Sequence, residues 1–153
     1  MSEKLVHDAT KTITPIFYQC YIALEKCFDL MENESVYIET YGDVTVVSEN
    51  ESSQTEVKNY EKDLTDLDHN IWKTLKNWLN DPNIPSYKNL ILLTTQDLGS
   101  TTAFKEWNSK NKNNKLSILK DINMSFLQQA KKAKETEELL AFVLDDSKNE
   151  KLL

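Results

Sequence analysis

The side chains whose types and spacing could do chemistry together are Asp43, Glu56 and Lys58, an acid, a short gap, then Glu-x-Lys. Two carboxylates on neighbouring strands can hold a hard divalent cation, leaving the rest of its octahedron to water and phosphate oxygens. Val57, between the second acid and the lysine, would add its backbone carbonyl as a further oxygen ligand. A lysine on the same strand face can hydrogen-bond an attacking water and stabilise negative charge developing on phosphorus. Metal-assisted hydrolysis of a phosphodiester can be carried by this set, and an acid in place of the lysine would repel the charge to be stabilised.

Acid-x-lysine triplets are common. With 25 acidic residues and 18 lysines in 153 positions, about three arise by chance. Asp146-Ser147-Lys148 is such a decoy, in a polar tail with no strand ahead of it. Around Asp43 and Glu56 the surroundings differ. Val36 to Val47 (VYIETYGDVTVV) is rich in β-branched and aromatic residues and broken at Tyr41-Gly42, so it reads as two short strands joined at a tight turn. After the polar SENESS, Gln54 to Lys58 reads as a third strand, with Gln54, Glu56 and Lys58 on one face and Thr55 and Val57 on the other. The hairpin then presents Asp43 from the neighbouring strand.

The remaining elements must position these three. Thr14-Pro15 reads as an N-cap and first helical residue. Ile16, Cys20, Leu24, Cys27 and Met31, with Ala23 and Leu30 beside them, form an apolar stripe expected to pack on a sheet. From Asp68, the residues Ile71, Trp72, Leu75, Trp78 and Leu79 mark an amphipathic helix that stops at Asn80-Asp81-Pro82. Lys88 to Thr95 reads as a buried strand. Beyond it the pattern is helical from Thr101 to about Ser109, then a lysine and asparagine loop (NSKNKNNK), then helical from Leu116 to Lys134 and Thr136 to Asp145. The order α-β-β-β-α-β predicts an α/β fold with a central mixed β-sheet of about four strands flanked by helices, and the length suits a single domain spanning residues 1–153.

Composition excludes other chemistries. Gly42 and Gly99 are the two glycines, too few for a phosphate-cradling loop or a dinucleotide turn. A zinc site would need both histidines, His7 and His69, and both cysteines. Cys20 and Cys27 lie about 10 Å apart along one helix, too far for a disulfide, and read as small buried thiols in a reducing compartment. With no membrane-length apolar run and no apolar stretch near Met1, a cytoplasmic protein without a membrane partner is expected. The formal net charge of -7 opposes nucleic-acid binding as a whole, yet cation-holding carboxylates contribute to it and a lysine patch can coexist with it. Every basic residue is lysine, so bidentate reading of guanine edges is out of reach and any DNA contact would be to the backbone. Lys73, Lys76, Lys105 and Lys110, with Lys112 and Lys115, are either a solvated charge run or the candidates for tracking phosphates.

These residues together resemble the PD-(D/E)xK nuclease superfamily of restriction-endonuclease-like folds. The resemblance extends to the helix with Phe17-Tyr18-Gln19, the strand with Ile38-Glu39 and then Asp43-Val44, the Gln-x-Glu-Val-Lys strand, Ile71-Trp72-Lys73-Thr74-Leu75 with Asn77-Trp78, and LLTT at Leu92 to Thr95. Over about residues 15–108 the chain is similar to the double-stranded-DNA endonuclease domain at the N-terminus of bacterial anti-phage effectors, including those of cyclic-oligonucleotide (CBASS) and Lamassu-type systems. The resemblance implies a metal-dependent endonuclease using Mg²⁺ or Mn²⁺ on double-stranded DNA with little sequence preference. It makes Asp43, Glu56 and Lys58 catalytic, turns Gln19 toward the site from the first helix, and adds Glu39 to Asp43, Glu56 and Val57 as an acidic ligand. Cutting both strands takes two sites and so implies a homodimer or higher oligomer. Such domains are often fused to a sensor or work with other subunits, so the chain would be the N-terminal part of a larger effector or a stand-alone subunit. In one place it departs from the pattern: Gly42 stands where a second acid is expected before Asp43. The alternatives are a nuclease-like fold kept for assembly without catalysis, and an RNA-directed nuclease with the same site.

Overall fold

The computed structural model describes residues 10–148 and Lys151, with side chains from Ile13 onward. Two compact units emerge, one drawn from Met1–Tyr60 and Ser86–Thr95, the other from Glu61–Pro85 and Gln96–Leu153.

The first unit holds a mixed sheet of four strands, β1 (Ser35–Ile38), β2 (Val44–Val47), β3 (Ser53–Lys58) and β4 (Asn89–Thr94), in that spatial order. β1 and β2 pair antiparallel, as do β2 and β3, while β3 and β4 run parallel. Parallel neighbours cannot be joined by a hairpin, and the chain between β3 and β4 includes helix α2 (His69–Asn80). The expected order of elements and the four-stranded mixed sheet are therefore present.

The period of two along each strand sorts the side chains. Val36, Val44, Val57 and Leu93 form one apolar face, and helix α1 (Thr10–Cys27) covers it with Tyr18, Ile22 and Ala23. Thr45, Gln54, Glu56 and Lys58 lie on the opposite face by the same alternation.

The helix differs from expectation in two ways. It starts at Thr10, so Pro15 lies inside it rather than at its first position. Moreover, of the stripe expected to meet the sheet Ala23 alone is buried there: Ile16 and Leu24 are 47% and 56% exposed, and Met31, 73% exposed, lies past the helix end. Cys20 and Cys27 are exposed too, which corrects the reading of both as buried thiols. Between Ile13 and Leu24 the helix carries no charged residue, so hydrophobic periodicity did not distinguish its faces. The face with small Ala23 is the one buried against the strands.

In the second unit, α2 begins at the predicted place. The Asp68 carboxylate accepts the Asn70 N–H at 2.9 Å and caps it. It packs on helix α4 (Lys134–Val143). Trp72 is fully buried and its Nε1 donates to the Asp66 carbonyl at 2.8 Å. The Asp66 carboxylate in turn accepts from Thr102 Oγ1 and the Ala103 N–H, both at 2.7 Å, fixing the start of the 3-10 helix Ala103–Ser109. The lysine and asparagine run is only partly a loop. Asn111 Oδ1 accepts the Asn114 N–H at 2.9 Å, so Lys112 already belongs to helix α3 (Lys112–Leu127). That helix ends at Leu127 instead of reaching Lys134, because beyond the buried Phe126 the chain turns polar and offers no further apolar face. No described helix is long and apolar enough to cross a membrane.

Truncating a fully buried tryptophan leaves a cavity and an unpaired carbonyl. Trp72→Ala is expected to cost about 3–5 kcal/mol in urea denaturation, and a loss below about 1 kcal/mol would contradict this packing.

Candidate active site

The hairpin between β1 and β2 and the far half of β3 build the site. Val44, the first residue of β2, stands opposite Thr55 at the end of the ladder. One further step along this register sets Asp43 opposite Glu56, and residues directly opposed in an antiparallel pair share a face. The Asp43 carboxylate closes the end of the ladder: its Oδ2 accepts the Val57 N–H at 2.7 Å, a side chain taking the place of a strand carbonyl. On β3, Lys58 Nζ donates to Glu56 Oε1 at 2.5 Å, and the two side chains are 21% and 17% exposed. Asp43, Glu56, Val57 and Lys58 are thus gathered at one place, half-buried except for Val57, whose side chain belongs to the core.

The loop that carries Asp43 is held from below. The Tyr41 carbonyl accepts two side chains from the polar strand face, Gln54 Nε2 at 2.7 Å and Thr45 Oγ1 at 3.1 Å. Tyr37 and Tyr41 meet edge to face with ring centres 5.3 Å apart. Folding the loop this tightly puts Gly42 at φ +115°, and a Cβ there would lie 2.3 Å from Gln54 Nε2. The residue at 42 must therefore be glycine, both for its backbone and for the space. This accounts for the missing second acid: a carboxylate cannot stand at 42 while Gln54 occupies that space. Gln54, the first residue of the Gln-x-Glu-x-Lys motif, is a buried positioning residue to which the sequence pattern assigned no role in the site. Its Oε1 is buried with no hydrogen-bond partner, an acceptor open on the face that carries Glu56.

The other expected ligands are placed differently. Glu39 follows β1 at φ +54°, exposed, and its N–H donates to the Asp43 carbonyl at 3.1 Å, so it shapes the loop through its backbone. Among the described residues no three His, Cys, Asp or Glu side chains are placed together to hold a metal ion, so Glu39 does not stand with Asp43 and Glu56 as a third carboxylate. Gln19 is buried on α1, which covers the strand face opposite to Glu56 and Lys58, and its Oε1 has no hydrogen-bond partner. It is not joined to the triad by that oxygen.

The candidate phosphate-contacting lysines belong to the second unit, and several are engaged locally. Lys76 sits over the Phe142 ring at 5.3 Å, and Lys105 Nζ donates to the Ser100 carbonyl at 2.5 Å. Lys110 pairs with Glu106 at 2.6 Å, a hydrogen bond that draws the Glu106 carboxyl below its ordinary range. Lys73 is exposed on α2. No known protein family, curated protein or solved structure matches this chain.

If Asp43 closes the ladder as described, its acceptor oxygen matters to folding apart from any catalysis. Asp43→Ala is expected to lose about 1–3 kcal/mol of stability by stranding the Val57 N–H, whereas Asp43→Asn retains most of it. Equal stability of all three proteins in urea would refute the bond. Gly42→Ala should cost about 1–3 kcal/mol in the same measurement, and an unchanged midpoint would mean the loop does not pass over Gln54.

Proposed function

We propose that this chain is a metal-dependent endonuclease that hydrolyses phosphodiester bonds of double-stranded DNA with little sequence preference, in bacterial defence against phage. The observation that carries this reading is the convergence of Asp43, Glu56 and Lys58 across the β2–β3 register, with the Asp43 carboxylate anchored on Val57 between the other two. The resemblance to PD-(D/E)xK endonucleases supports the same assignment.

The donor chemistry suits a hard dication. Asp43, Glu56 and the Val57 carbonyl offer oxygen ligands only, and Gln54 Oε1 is an unpartnered buried acceptor on the same strand face. These residues would hold Mg²⁺ or Mn²⁺, and the bound ion would polarise the scissile phosphate and acidify a coordinated water. Asp43 orients the set, since the bond to Val57 fixes one of its oxygens. Glu56 engages Lys58 and keeps the ammonium on the polar face. With a phosphate in place, Lys58 would donate to the attacking water and to the oxygens that gain negative charge, while the water oxygen bonds to phosphorus, the bond from phosphorus to the leaving oxygen breaks, and the water's proton passes through solvent to that leaving oxygen. Lysine in place of arginine throughout favours contacts to the DNA backbone and leaves out the bidentate guanidinium reading of guanine edges.

The closed Glu56–Lys58 pair favours one second reading, a nuclease-like module whose carboxylates serve only the fold. Plasmid cleavage separates the two. Wild-type protein with Mg²⁺ or Mn²⁺ should nick supercoiled DNA, EDTA should abolish the activity, and Lys58→Ala should slow it by about 10²–10³-fold with its melting transition unchanged. Absence of cleavage by the wild type with either metal would establish the module and refute the enzyme.

A further inference from the structure

The outward side of α1 is apolar along its length. Ile13, Phe17 and Leu24 are 46%, 69% and 56% exposed, and Cys20 and Cys27 are exposed as well. Their spacing alternates four and three residues from 13 through 17, 20 and 24 to 27, the seam of a helix that packs lengthwise on another helix. Tyr21, 67% exposed, flanks the seam, and Phe28 and Met31, 82% and 73% exposed, follow just past the end of the helix. No charged residue interrupts the helix from Ile13 to Leu24. A helix face turned to water carries charges, and the core of an interface is depleted of them.

The size of this face identifies its occupant. Aromatic side chains present about 150–250 Å² each, so Phe17, Tyr21 and Phe28 at these exposures leave on the order of 400 Å² uncovered. Ile13, Leu24 and the two cysteines, with Met31 just past the helix, bring this apolar surface toward the roughly 800 Å² per partner of a stable interface, beyond the few hundred Å² that a monomer ordinarily leaves open. A heptad seam is self-complementary, and two identical uncharged faces meet without repulsion.

We propose that α1 is a self-association surface, on which a second copy of the chain lays its own α1 to form a two-fold symmetric dimer. The inference stands on α1 alone and holds whether or not the chain is a nuclease, since none of these side chains belongs to the Asp43–Glu56–Lys58 set. Its test is sedimentation of the full chain from low to high micromolar concentration. The wild type should be dimeric. Phe17→Glu and Leu24→Glu should each sediment as monomers across the range with unchanged far-ultraviolet circular dichroism, because both side chains are more than half exposed and outside the core cluster. A wild type that stays monomeric throughout would mean that this face serves another partner and would overturn the proposal, as would dimers that persist in both glutamate variants. Plasmid cleavage is read separately, so loss of the dimer and loss of the nuclease reading remain distinguishable.

Discussion

The two-residue alternation of β3 governs everything the site can do. It sends Thr55 and Val57 into the interior and keeps Glu56 and Lys58 together on the opposite face, half-buried where a charge is strengthened but still reachable. A slip of one residue would bury the ion pair under α1 and turn Val57 outward, so the register that makes the core also makes the site. Asp43 reinforces that register by accepting the Val57 N–H where β2 runs out. A charge-assisted bond at the end of a short ladder resists fraying at the point where chemistry would occur.

Around that constraint the hairpin loop is built for position at a cost in stability. Two side-chain donors converge on one carbonyl, that of Tyr41, and one of them leaves its own Oε1 buried and unpaired. An apolar residue at 54 would avoid the orphan acceptor, but nothing would then hold the loop down over the polar face. Gly42 at positive φ adds the entropic cost of glycine. Such expense concentrated on the two residues before and beneath Asp43 is what a site under geometric demand shows.

The sequence pattern disclosed the parts governed by short periods and strong punctuation. The strands around Tyr41-Gly42, the start of α2 after Asp68 and the element order of the α-β-β-β-α-β run were all legible, because alternation, a turn dipeptide and helical periodicity act locally. The inward face of α1 was not. Apolar residues surround the whole turn from Ile13 to Leu24, so a stripe could be drawn on either side, and the tertiary fit of Ala23 and Ile22 against Val44 and Val57 decided the matter. Gln54 escaped for a different reason. Its partner is a backbone carbonyl thirteen residues earlier, and a sequence shows no sign of which carbonyls a loop leaves unpaired. Asn111 likewise turned an apparent loop into a helix start, since a run of lysine and asparagine holds both a cap and a solvated turn in the same letters.

Electrostatics ties the site to the outer face of α1. A chain of net charge -7 is repelled as a whole by a phosphate polymer, and several of the lysines that could counter this are held by Glu106, by the Ser100 carbonyl or over Phe142. On the proposed nuclease reading, each such lysine would exchange a local partner for a phosphate, so a single copy would gain little from each contact. Two copies joined through α1 would present two sets of lysines and two carboxylate sites on one particle, and the second set would engage at the high effective concentration that linkage provides. Binding of that kind rises steeply with protein concentration while leaving each protomer weak. A dimer would also bring one site to each strand of a duplex, which a lone copy has no means of doing.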